Sequence, residues 1–118
     1  MKKFELENRL IKYSILIIRI TNKLPTNRAS NHLASQLIRS GTSVSLNYGE
    51  ALGGESRRDF THKIKLVLKE LRESFNNLKI INEAIIHNSA DDIKLALNES
   101  NELISIFVKT IRTLESKG

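Results

Sequence analysis

From Phe60 to Leu114 the apolar residues return every third or fourth position, a spacing that fits amphipathic helix and excludes the two-residue alternation of a strand. At 100° per residue, Phe60, Ile64, Val67, Leu71, Phe75, Leu78 and Ile85 fall within about 80° of arc. Asn82 shares that arc, either at a frayed end or hydrogen-bonded inside the core. Ile93, Leu97, Ile104, Phe107, Val108, Ile111 and Leu114 fall within about 120°. Each set forms one core stripe, and no cofactor is needed to explain either. Earlier in the chain, Leu33, Leu37, Val44, Tyr48 and Ala51 make a similar stripe.

The breaks between these runs are short. Helices are predicted over about residues 3–24, 29–52, 56–87 and 90–114. Pro25 stops the first and Gly53-Gly54 the second. Ser56-Arg57-Arg58-Asp59 has the serine and acid of a capping box, and Ser89-Ala90-Asp91-Asp92 repeats that logic. Short breaks make sequential helices antiparallel neighbours. The predicted fold is all-α, an antiparallel up-down-up-down four-helix bundle in a single domain spanning 1–118.

The first helix is apolar on two sides. Phe4, Ile11, Ile15 and Ile18 form one stripe; Leu6, Leu10, Tyr13, Ile17, Ile20 and Leu24 form another, roughly opposite. One side can face the shared core, and the other needs a second surface. Because the second stripe has six members, it is expected to be the contact of a homo-oligomer. Leu66 and Ile80, off the core stripe of the third helix, are expected to join it. The competing reading is scattered surface apolar residues, which are common.

Composition removes whole classes of function. There is no cysteine among the 118 residues, so disulfides and thiolate metal sites are excluded. The longest apolar run, Ile15-Leu16-Ile17-Ile18, is far too short to cross a membrane. Glu5 and Glu7 before any apolar stretch argue against a secretory signal, so a cytoplasmic protein is expected. The net charge of +6 is one-sided. Residues 1–58 hold the whole excess, and no carboxylate occurs between Asn8 and Gly49. That acid-free stretch invites RNA, DNA or another polyanion. Lys12, Arg19, Lys23, Arg28, Arg57 and Arg58 are the predicted phosphate contacts. The competing reading is a basic face that only keeps the protein dissolved.

Catalytic and metal-binding patterns are missing. His32, His62 and His87 lie far apart. Asp59 with His62 and Glu83 with His87 do not match the paired Glu-x-x-His of a bundle di-metal site. No serine elbow or phosphate-cradling glycine loop occurs. The expectation is a non-enzyme with no metal and no cofactor. The most informative cluster is a polar stripe, Gln36, Arg39, Ser43, Asn47 and Glu50, within about 80° beside the apolar stripe of the second helix. Half-buried polar groups need partners, and Glu70 and Glu73 on the third helix are the candidates for Arg39. The stripe is either a network that fixes register or a ligand groove. The first is favoured, since these side chains can satisfy one another.

Ser35-Gln36-Leu37-Ile38-Arg39-Ser40-Gly41-Thr42-Ser43-Val44, then Asn47-Tyr48-Gly49-Glu50-Ala51, Ser56-Arg57-Arg58-Asp59-Phe60 and Lys69-Glu70-Leu71-Arg72-Glu73 resemble the four-helix-bundle proteins encoded by ribosomal-RNA intervening sequences, often labelled ribosomal-protein-like. The specific part covers about residues 35–75. Many members read Asn-Ile-x-Glu-Gly where this chain has Asn47-Tyr48-Gly49-Glu50-Ala51. Among the aromatics that often follow the Glu73 motif, only Phe75 matches. The resemblance implies a bacterial bundle that assembles as a ring-like homo-oligomer, a pentamer, with a proposed role in nucleic-acid binding. A similar bundle accompanies the reverse transcriptases of diversity-generating retroelements and binds protein and nucleic acid. The resemblance also marks Arg39, Asn47, Glu50, Glu70 and Glu73 as motif positions. Two functions follow as expectations. One is an oligomer that binds nucleic acid through its basic surface; the other is a protein-binding adaptor without nucleic-acid contact.

Overall fold

Pro25 forces the residue before it away from helical geometry, and the first helix accordingly stops short of it. A computed structural model describes residues 1–85 and 87–117. It contains four helices: α1 (Lys3–Asn22), α2 (Arg28–Leu52), α3 (Arg57–Ala84) and α4 (Ala90–Ser116). The Asn27 side chain accepts the Ser30 amide at 2.9 Å and starts α2 one residue earlier than expected. Ser56 accepts the Asp59 amide at 3.1 Å, as its sequence motif requires. Ser89 departs from expectation: its side chain makes no cap bond, and its amide donates to His87 Nδ1 at 3.2 Å. α3 ends at Ala84, three residues before the expected His87, where Ile85 turns extended; residue 86 of that expected span lies outside the described residues. Gly53 ends α2 with φ −93°, so the stop uses no left-handed glycine.

α1 packs on α2 and α4, and α3 packs on the same two, so the helix backbones stand in a square, with side chains such as Tyr48 and Phe107 meeting across its diagonal. Every neighbouring pair whose side chains meet along the bundle is antiparallel. Ser14 meets Ser45 while Ile17 faces Gly41; Arg39 meets Glu70 while Lys63 meets Glu50. Arg9 meets Glu99 and Lys23 meets Asp92. The body measures 46 × 21 × 21 Å, the length of one long helix.

The core is built from the predicted stripes of α2, α3 and α4, with Ile81, Ala96 and Leu103 added, but Phe75 and Val108 fall outside it and stay half-buried at its edge, Phe75 under the Lys79 ammonium. Asn82 is exposed and takes no part. On α1 the expectation is reversed. Leu6, Leu10, Tyr13, Ile17 and Ile20 are buried in this core, and Leu24 packs against it. They cannot form a subunit contact without opening the bundle. The outward stripe is the other one: Phe4 is 65% exposed and Ile15 49%, with Ile11 and Ile18 exposed beside them. Leu66 is half-buried, so it offers little free surface; Ile80 is exposed.

Gly41 explains how α1 and α2 approach. A Cβ there would lie 2.7 Å from Ile17 Cγ2, so only glycine admits the isoleucine. Ser14 lies beside this crossing and donates to the Gly41 carbonyl at 2.9 Å. A layer of hydroxyls also crosses the core. Tyr13, 1% exposed, bonds Ser100 Oγ at 2.7 Å, and Ser74 donates to Ser40 at 2.9 Å. Ser74 and Ser100 are also in reach of carbonyls one turn back, those of Glu70 and Ala96. These hydroxyls are therefore satisfied within the bundle, whereas Ser30 Oγ, Asn77 Oδ1 and Ser89 Oγ are buried without a partner among the described residues.

Candidate functional site

The Arg39 fork holds the α2–α3 seam. One nitrogen donates to Glu70 Oε2 at 3.0 Å and the other to Glu73. Glu70 is buried and Glu73 half-buried, so this guanidinium supplies most of the compensation for Glu70. Glu50 does not join them; it pairs with Lys63 at 3.3 Å. Asn47 donates to the Ser43 carbonyl at 3.0 Å and Ser43 to the Arg39 carbonyl at 2.6 Å. Gln36 is exposed. Arg39, Ser43, Asn47 and Glu50 thus bond within α2 and to α3, while Gln36 stands apart from them. The α1–α4 seam has an equivalent clasp. Arg9 donates to both oxygens of Glu99 at 2.7 Å and reaches Glu102 at 3.3 Å.

The six predicted phosphate contacts are all exposed, but the fold separates them. Lys12 and Arg19 flank a groove of about 560 Å³ on the α1–α4 seam, opposite Glu99 and Glu102. Lys23, paired with Asp92 at 3.3 Å, and Arg28 sit at one end of the bundle. Arg57 and Arg58 sit at the other, about the length of the bundle away. Arg57 donates to the Leu114 carbonyl at 2.6 Å, which holds its head at the α4 terminus. There, Arg57, Arg58, Thr61, His62 and Lys65 line a shallow cleft of about 440 Å³ with Leu114 and Glu115.

Both ends of the bundle mix charges: Glu5, Glu7, Glu50, Glu55, Asp59 and Glu115 lie among the bases of the end where α1 and α3 begin, and Arg19, Lys23, Arg28 and Lys94 stand with Glu83, Asp91 and Asp92 at the other. The cationic cluster at the start of α3 is local, and the positive end of the α3 dipole adds to it. Lys65 of this cluster pairs with Glu115 at 3.3 Å. Charge read along the sequence missed Glu115, Leu114 and Lys65 as members of one cleft, because α4 reaches the start of α3 only in the folded bundle.

The outward apolar surface is wider than α1. Leu46, 67% exposed, and Ile38 lie on α2, and Leu95 lies on α4 beside Ile15 at the seam groove. The helices on either side of α1 thus carry exposed apolar residues as well. Among the described residues, no group of three His, Asp or Glu side chains converges on one point. No described helix is long and apolar enough to cross a membrane.

Comparison with known proteins places this architecture. A crystal structure of a protein of unknown function from the S23 ribosomal protein family of Bacteroides thetaiotaomicron superposes with a TM-score of 0.81. It is 25% identical and covers 95% of this chain and 99% of its own. No curated protein sequence matches the chain. The sequence profile of the 23S rRNA-intervening sequence proteins matches residues 2–109, from the first turn of α1 to the middle of the last turns of α4, and the chain belongs to that family.

Proposed function

We propose that this chain is a non-catalytic, cytoplasmic bundle that assembles with copies of itself and binds RNA or other nucleic acid through the cationic start of α3. The carrying observation is the cleft formed by Arg57, Arg58, His62 and Lys65. It gathers three cations and a histidine from the first turns of α3, at the positive end of that helix, with Glu115 of α4 paired to Lys65. Few aromatics are available to stack bases, so binding should be salt-sensitive and weakly selective for sequence. Assembly uses the outward face of α1, where Phe4, Ile11, Ile15 and Ile18 leave apolar surface in water. On the family resemblance, the copies close into a ring of five.

A gel-shift titration with a ribosomal RNA fragment at low salt tests the reading. Binding is expected, and each of Arg57→Ala and Arg58→Ala should lower the salt slope by about one. No shift at low salt would remove nucleic acid from the proposal. The second reading, a protein-binding adaptor, rests on the same outward face: its apolar residues could equally receive a different protein. It predicts that replacing Ile11 and Ile15 by serine abolishes partner binding while RNA binding is absent in both forms.

A further inference from the structure

Of the eleven asparagines in the chain, nine lie inside the four helices. There the amide that follows each asparagine is held by the helical hydrogen-bond ladder. Asn27, at the start of α2, is also occupied, since its Oδ1 accepts the Ser30 amide at 2.9 Å. Asn88 differs from all of these. It stands exposed in the connection between α3 and α4 and is followed by Ser89. Every other asparagine is followed by a residue larger than serine, whose side chain crowds its own nitrogen. The Ser89 amide also stays outside the α4 ladder. It donates to His87 Nδ1 at 3.2 Å, so an imidazole lone pair already rests on that proton.

A backbone nitrogen that follows an asparagine can close a five-membered ring on the side-chain carbonyl carbon. The closure needs a backbone free of the helix, a small following residue and a base for the amide proton. Asn88 has all three. We propose that Asn88 is a self-modification site, deamidated with His87 as the base. The Ser89 nitrogen bonds to Asn88 Cγ while His87 Nδ1 takes its proton. The Cγ–Nδ2 bond then breaks, and that proton leaves with the nitrogen as ammonia. Water opens the resulting succinimide at either carbonyl, leaving aspartate or isoaspartate at position 88. One water enters, one ammonia leaves, and nothing is oxidised or reduced. The new carboxylate joins Asp91 and Asp92 around a hollow of about 290 Å³ that Lys23 also lines. This is the positive end of α4, where added negative charge is favourable, so the modified chain stays folded. The site lies at the other end of the bundle from Arg57 and Arg58 and does not depend on the RNA reading.

The test keeps the full chain in warm neutral buffer for weeks, then digests it and maps the peptides by mass. A gain of about one dalton is expected at Asn88 before any other asparagine. Part of the product should be isoaspartate, detected by enzymatic methylation. Asn88→Gln should remove the fast signal, because glutamine would have to close a larger ring. His87→Ala should slow the reaction about ten-fold. The direction of that change is decisive: if His87 only pinned the Ser89 amide, its loss would speed the reaction. Modification spread evenly over several asparagines, none at Asn88, or an unchanged or faster rate in His87→Ala would each overturn the proposal.

Discussion

The two faces of α1 are almost the same in composition and opposite in fate. Leu10, Ile17 and Ile20 are fully buried, while Ile11, Ile15 and Ile18 stand in solvent. Hydrophobicity does not separate them; their neighbours do. Ser14 and Thr21 flank the buried stripe, with the Ser14 hydroxyl in reach of the Gly41 and Leu10 carbonyls and that of Thr21 donating to the Ile18 carbonyl. Such residues can sit beside a close helix contact. The outward stripe is flanked by Asn8, Lys12, Arg19 and Asn22, whose heads require water. The buried stripe also holds Tyr13, whose hydroxyl finds Ser100 across the core. The glycine that accepts Ile17 completes the match.

The largest expected difference between the faces is energetic. Ile17→Ala should destabilise the bundle by about 2–5 kcal/mol in urea denaturation, since a cavity opens in a packed core. Ile15→Ala, measured at concentrations low enough to favour single subunits, should fall within about 0.5 kcal/mol of the parent. Equal losses at both sites would erase the distinction.

Much of the fold was legible before any coordinates, because period and breaks are local properties. The stripes of α3 and α4, the stop before Pro25 and the Ser56 cap all follow from residues within a few positions of one another. The inward face of α1 did not follow. It depends on Gly41 and Ser100, which lie in other helices and leave no mark on the periodicity of α1. The Arg39 partners were readable because α2 and α3 meet in antiparallel register across one short break, whereas the pairing of Glu50 with Lys63 turned on a precise offset. The cleft at Arg57 and Arg58 was hidden for the same reason as the α1 face: Leu114 and Glu115, which complete it, come from the far end of the chain. Ser89 shows the limit of a local motif, since its amide turns to His87 rather than the helix taking its hydroxyl.

Further substitutions sharpen the contrast at smaller scale. Gly41→Val should cost about 1–3 kcal/mol by driving a side chain into Ile17. Adding Ile17→Ala should recover part of that loss, which a double-mutant cycle in urea would detect. Arg39→Ala should cost about 1 kcal/mol, because Glu70 loses its guanidinium while the exposed side of the pair is screened.

Tyr13 offers a pH-dependent test of the buried face. Burial, more than the opposing bonds from Ser100 and Ser74, pushes its phenol up to about 12 from an ordinary 10.0. The folded chain therefore holds this proton to higher pH than the unfolded chain does. The associated stability, about 3 kcal/mol, is complete below about pH 10 and is lost as pH rises toward about 12. Tyr13→Phe should flatten that part of the stability profile relative to the parent. At neutral pH it should cost only about 1 kcal/mol, since Ser74 and Ser100 keep their backbone acceptors. An unchanged slope would mean that the hydroxyl reaches water.

Sedimentation velocity on the parent chain and on Ile11→Ser/Ile15→Ser/Ile18→Ser tests the outward face most directly. The expected result is a discrete oligomer for the parent at micromolar concentration and a folded, fully helical monomer for the variant. A monomeric parent, or a variant that assembles as the parent does, would contradict the assignment of that face to self-assembly.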